Sequence, residues 1–110
     1  MSRALHATLI AGLVLLASSS SLAAFEATVV IKDHRFSPSE IKVPVAARVK
    51  LSVVNQDPTP EEFESHELKV EKLIPGGSTG VVRFGPLGPG RYPFIGEFNE
   101  ATAQGTVIVE

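Results

Sequence analysis

The side chains in this sequence that could do chemistry are imidazoles and a set of carboxylates, most of them gathered in two places. Glu61, Glu62, Glu64, His66, Glu67 and Glu71 crowd one stretch, and Glu97, Asn99 and Glu100 form a second group further on. Glu64 precedes His66 by two residues, so in an extended chain both project to one face. With Glu97, Glu100 and Asn99 on an opposing loop, they could surround an ion. Imidazole with several oxygen donors accepts Fe(II), Mn(II), Zn(II) or Cu(II), and the donor types alone do not choose among them. His34 lies where the first strand ends and is a further candidate ligand. Each candidate has a plainer reading: His66 as a partly buried residue at a strand start, Glu97 as a solvated loop charge, His34 as a turn residue.

Thiolate chemistry is absent, because the chain has no cysteine, and its only methionine is Met1. No hydrolytic or phosphate-handling constellation is found. Ser65 and His66 are neighbours in an extended segment and point to opposite faces, so they do not form a nucleophile and base. Pro75-Gly76-Gly77-Ser78 lacks the Lys and following helix of a phosphate loop and reads as a hairpin turn. The chain carries 10 Lys and Arg against 12 Asp and Glu, a formal charge of −2. That acidity argues against nucleic acid as a partner.

The elements that must position these residues begin after a leader. Arg3 precedes the apolar run Leu9 to Ala17, and Ser21-Leu22-Ala23 offers small residues at the positions a signal peptidase reads. The run is about half the ~20 residues needed to span a bilayer. We therefore expect a secretory signal over residues 1–24 and one domain over 25–110, exported to the periplasm and not embedded in the membrane. The domain is too short to divide again. Having no disulfide, it must rely on packing, turns and a bound metal if there is one.

Within the domain, apolar residues recur at every second position, the period of half-buried strands. Ala27, Val29 and Ile31 alternate with polar neighbours; so do Val49, Leu51 and Val53, and then Leu68 and Val70, Val82 and Phe84, Tyr92 and Phe94, and Val107 and Val109. A short strand at Ile41 to Val43 completes the series. Turn chemistry separates them at Ser37-Pro38-Ser39, Asn55-Gln56-Asp57-Pro58, Pro75-Gly76-Gly77-Ser78 and Gly85-Pro86-Leu87-Gly88-Pro89-Gly90. Pro60 to Ser65 reads as a helical turn capped by Thr59. Leu87-Gly88-Pro89-Gly90-Arg91-Tyr92 has the form of a tyrosine corner, in which a Tyr at a strand start returns its hydroxyl to upstream backbone. The fold class is all-β, a Greek-key β-sandwich of about seven to eight strands.

This order of elements resembles the cupredoxins: His34-Arg35-Phe36-Ser37-Pro38 after a first strand, Ile41-Lys42-Val43-Pro44, a strand into Asn55-Gln56-Asp57, and Pro89-Gly90-Arg91-Tyr92 before a last loop and strand. More narrowly, Thr59-Pro60-Glu61-Glu62-Phe63-Glu64-Ser65, Gly96-Glu97-Phe98 and Thr102-Ala103-Gln104-Gly105 are similar to the cupredoxin-like proteins of bacterial ferrous-iron uptake, of the FtrB and EfeO types. The cupredoxin copper site uses a His at the start of a middle strand and a Cys, His and Met on the last loop. By the parity of Leu68 and Val70, His66 matches the first of these. Gly96, Asn99 and Ala103 or Gln104 stand at the other three, so a blue-copper thiolate site is excluded.

The resemblance implies a periplasmic accessory protein, monomer or dimer. It would bind copper or iron and pass metal or electrons to a membrane iron permease and other uptake components. Two other classes stay open: a metal-free sandwich acting as a protein-interaction module through the segment Glu61 to Glu71, and a stand-alone copper-dependent ferrous oxidase.

Overall fold

Alternation of Val and Ile with polar residues yields the strands that the pattern predicts, and the computed structural model, which describes residues 24–110, arranges them in two sheets. Apart from Ala24, the expected leader lies outside the described residues. The first sheet holds β1 (Phe25–Lys32), β2 (Arg35–Ser37), β4 (Val49–Asn55) and β7 (Thr79–Phe84), in the order β2-β1-β4-β7. The second holds β3 (Glu40–Val43), β5 (Glu61–Ser65), β6 (Val70–Ile74), β8 (Gly90–Gly96) and β9 (Gln104–Val109), in the order β3-β9-β8-β5-β6. β1 and β4 run parallel, as do β3 and β9, and the other pairs are antiparallel. A single 3₁₀ turn, Glu97–Asn99, caps the end of β8.

Inward residues of both sheets interdigitate, as expected of packed sheets. Val29, Ile31, Leu51 and Val53 from the first sheet meet Phe63, Phe94 and Val107 from the second, all essentially without solvent contact. At the centre Phe63 stacks on Phe94 with centroids 4.8 Å apart, and Phe36 meets both edge-on at 5.9 and 4.9 Å. These are the favoured aromatic geometries. Gly105 is required beside them, because a Cβ there would run into the Phe94 ring. The tyrosine corner is present: the Tyr92 hydroxyl donates to the Gly88 carbonyl at 2.8 Å.

One stretch differs from the expectation. Pro60 to Ser65 is not a helical turn; Glu61–Ser65 is strand β5, flanked by β6 and β8. Its inward residues are Glu61, Phe63 and Ser65, two of them polar, which hides the strand period from a hydrophobicity reading. Each polar residue is satisfied inside. The Ser65 hydroxyl donates to the Pro93 carbonyl at 2.7 Å and accepts from the Leu68 N–H at 3.1 Å. Residues 66–69, expected in a strand, form the β5–β6 turn, with Lys69 at φ 56°.

Candidate metal centre

The last-loop positions that the resemblance matches to copper ligands enclose a buried carboxylate. Gly96, Asn99 and Ala103 come together there as expected, but the residue facing them from the middle strand is Glu61, not His66. A Cβ on Gly96 would lie 2.6 Å from Glu61 Cδ and 2.7 Å from Ala103 Cβ, so the missing side chain is what makes room for the carboxylate. Glu61 is 2% exposed. Its Oε1 accepts from the Phe98 N–H at 2.9 Å and the Glu62 N–H at 3.0 Å, and its Oε2 accepts from the Asn99 amide at 2.6 Å. Three donors satisfy a buried anion well, and charge-assisted bonds are the strong ones. With no thiolate or imidazole and its one carboxylate engaged, this position does not fit a copper–thiolate centre.

His66 therefore does not stand in the place of the first copper His. The expectation rested on extending the strand through Leu68, whereas the chain turns at His66, at the far end of β5 from Glu61. His34 is also elsewhere. It follows Asp33 in the tight β1–β2 turn, both at positive φ (56° and 52°), as a two-residue hairpin requires. The turn is held by Asp57, whose oxygens accept the Asp33 and His34 N–H groups at 2.8 and 2.9 Å. Those bonds, that of His34 first, hold the buried Asp57 carboxyl below its ordinary value against the opposing effect of burial. The His34 ring is exposed and does not join the other candidates.

On the outer face of the second sheet the remaining candidates do converge. Glu62 and Glu64 project outward from β5, Glu71 lies directly across from Glu64 on β6, and Glu97 comes from the 3₁₀ turn above them. One oxygen from each of Glu62, Glu64 and Glu97 lies within 4.8 Å of the others. Glu64, His66, Glu97 and Glu100 line one depression, and Glu64, His66, Lys69 and Glu71 line the one beside it. His66 thus sits on the rim, outside the three-carboxylate group. Asn99, the other loop candidate, has its amide turned inward onto Glu61.

Electrostatics mark this group as incomplete. Glu62 Oε1 is shut from solvent and has no hydrogen-bond donor among the described residues. Its neighbours are carboxyls, which can bond to it only if a proton is held between the two. Glu71 first, then Glu97, with some burial, accordingly push the Glu62 carboxyl up to about 7. Glu97 likewise raises Glu64, an effect that burial adds to and His66 opposes. A divalent cation would relieve the same repulsion that a proton does. Three carboxylates suit a hard or borderline ion, and an added imidazole moves the preference toward transition metals. Glu62 is the member of this group hardest to single out from sequence. Its signal is the alternation Glu62, Glu64 outward against Glu61, Phe63, Ser65 inward.

Comparison with known proteins agrees with this fold. Residues 5–109 match the family model described as a cupredoxin-like domain. An uncharacterized protein of Rickettsia prowazekii (strain Madrid E) is 44% identical over 85 residues, 76% of this chain and 67% of that protein. Among solved structures, auracyanin A, a "blue" copper protein of Chloroflexus aurantiacus, superposes with a TM-score of 0.70 at 15% identity, covering 80% of this chain and 100% of that one. The metal-binding domain of the Cu(I)-exporting P-type ATPase CopA of Streptococcus pneumoniae D39 gives 0.69 at 17% identity, covering 77% and 84%. The match runs through both sheets and the last loop, and on that ground the chain belongs to the cupredoxin-like domain family.

Proposed function

We propose that this is a periplasmic metal-binding accessory protein, exported by the leader over residues 1–24, that binds copper or iron on the outer face of its second sheet. Glu62, Glu64 and Glu97 are the ligands, with His66 and Glu100 at the rim. The observation that carries the reading is the convergence of the three carboxylates within 4.8 Å around a Glu62 oxygen that has no donor. Copper is favoured by structural neighbours described as holding Cu(I) or as blue copper proteins. Iron is favoured by the resemblance of Gly96-Glu97-Phe98 and its companion motifs to the FtrB-type and EfeO-type proteins. In that setting the protein passes metal or electrons to a membrane permease system of ferrous-iron uptake. Any redox role runs through an oxygen-rich site of this kind and not through a thiolate.

A second reading has one observation in its favour. Leu73 and Phe98, 53% and 52% exposed, flank the acidic face and would give a protein partner apolar anchors there. As a metal-free interaction module the protein would hold its partner equally well under chelation. A stand-alone ferrous oxidase, by contrast, would turn over Fe(II) and oxygen once loaded with copper.

Calorimetric titration of the leader-free protein with Cu(II) and with Fe(II) under anaerobic conditions tests the main reading. Glu62→Gln combined with Glu97→Gln is expected to weaken binding at least ~10-fold, the scale on which metal sites respond to loss of a carboxylate partner. His66→Ala should weaken Cu(II) more than Fe(II), since imidazole favours the former. Binding of both metals no tighter than millimolar in the parent protein would overturn the metal reading and leave the interaction module.

A further inference from the structure

The two outer faces of the sandwich carry opposite charge. On the first sheet Lys32, Arg35, Arg48, Lys50 and Arg83 project to solvent against the single acid Glu26. Register places these cations side by side: Lys50 is directly opposite Arg83, and Lys32 directly opposite Arg35. Like charges in directly opposed positions destabilise a sheet. Of these five cations only Lys50 forms a salt bridge among the described residues, with Glu26 at 3.7 Å. The fold therefore holds a basic sheet face whose repulsion is offset only in part, by Glu26 beside Lys50 and Asp57 near Lys32, while most of its carboxylates lie on the other side.

From this arrangement we propose that the outer face of the first sheet is a docking surface for an anionic phospholipid bilayer. Two features favour a bilayer over a protein. Only Val81 among the residues of this face is a large, exposed hydrophobic, so the face has no apolar anchor cluster of the kind protein interfaces centre on. Its cations are spread from Lys32 at one end to Arg48 at the other, which suits a surface of diffuse negative charge. Docked this way, the protein would present the acidic face away from the lipid, toward the aqueous phase. The proposal does not depend on whether that acidic face binds metal.

Cosedimentation of the leader-free protein with vesicles tests it, comparing pure phosphatidylcholine with equal parts phosphatidylcholine and phosphatidylglycerol. Binding is expected only to the anionic vesicles, and it should be released by salt, because exposed charges are screened. Each cation removed should weaken binding about fivefold, so Lys50→Ala with Arg83→Ala weakens it about 25-fold. Glu62→Gln with Glu97→Gln, on the opposite face, leaves it unchanged. Equal binding to both vesicle types, no binding to anionic vesicles at low salt, or full binding by the Lys50 and Arg83 variant would overturn the proposal. So would sedimentation velocity showing salt-sensitive self-association without vesicle binding, which would assign the face to the acidic side of a second copy.

Discussion

Truncating Glu61 tests whether its buried carboxylate works as a brace between β5 and the last loop. In Glu61→Ala the Phe98 N–H and the Asn99 amide lose the carboxylate that they reach at 2.9 and 2.6 Å. Hydrogen bonds to a charged group contribute about 1.5–3 kcal/mol each, so the loss of these two is about 3–6 kcal/mol. A domain of this length has a total stability of about 4–13 kcal/mol. The variant should therefore be close to unfolded. Glu61→Gln separates shape from charge. Its carbonyl oxygen keeps the Phe98 and Glu62 N–H bonds, and its amide can donate to Asn99 once that side chain turns over, so the cost falls to about 1 kcal/mol. Asn99→Asp sets carboxylate against carboxylate and should be strongly destabilising at neutral pH; adding Glu61→Gln restores a charge-assisted pair and much of the stability. Urea unfolding followed by circular dichroism reads these differences as midpoints. With a slope near 1 kcal/mol per molar for a small domain, Glu61→Ala lowers the midpoint by about 3 M or abolishes the transition. If Glu61→Ala and Glu61→Gln both fall within about 0.5 kcal/mol of the parent, the brace does not exist and the position is merely filled.

Two further predictions rest on other parts of the fold. Because Glu62 is pushed up to about 7 from its ordinary value of 4.5, the metal-free folded protein keeps a proton there that the unfolded chain releases. That contribution to stability is complete below about pH 4.5 and is lost as the pH rises through 7. Glu64 acts in the same direction, whereas Asp57, lowered from 3.8, contributes stability that is lost on acidification. Thermal melts with chelator present should show the melting temperature falling from pH 4.5 to 7, and Glu62→Gln should flatten that fall; an unchanged slope would mean that the carboxylates do not interact. Tyr92→Phe removes only the hydroxyl bond to Gly88, at about 0.5–1 kcal/mol for an exposed bond. Its melting temperature should drop by about 2–8 °C, with no effect on metal binding.

Much of this protein is legible in one dimension. The period-two alternation of Val29, Ile31, Leu51, Val53, Val107 and Val109 leads to an all-β sandwich because a strand in water must bury one face and wet the other. Leu87 to Tyr92 announces its corner because that motif is local, its bond closing over four residues. The lack of cysteine rules out blue copper whatever the fold, since no geometry can supply an absent thiolate. The interior role of Glu61 and the turn at His66 were not legible. Burying a glutamate is unfavourable until donors arrive, and those donors, Phe98 and Asn99, lie 37 and 38 residues away on another strand's loop. A hydrophobicity pattern accordingly assigns Glu61 to solvent and slides the strand onto His66 and Leu68. The grouping of Glu62, Glu64, Glu71 and Glu97 has the same origin. Cross-strand register and the 3₁₀ turn bring them together, and neither is encoded in the spacing of the glutamates along the chain.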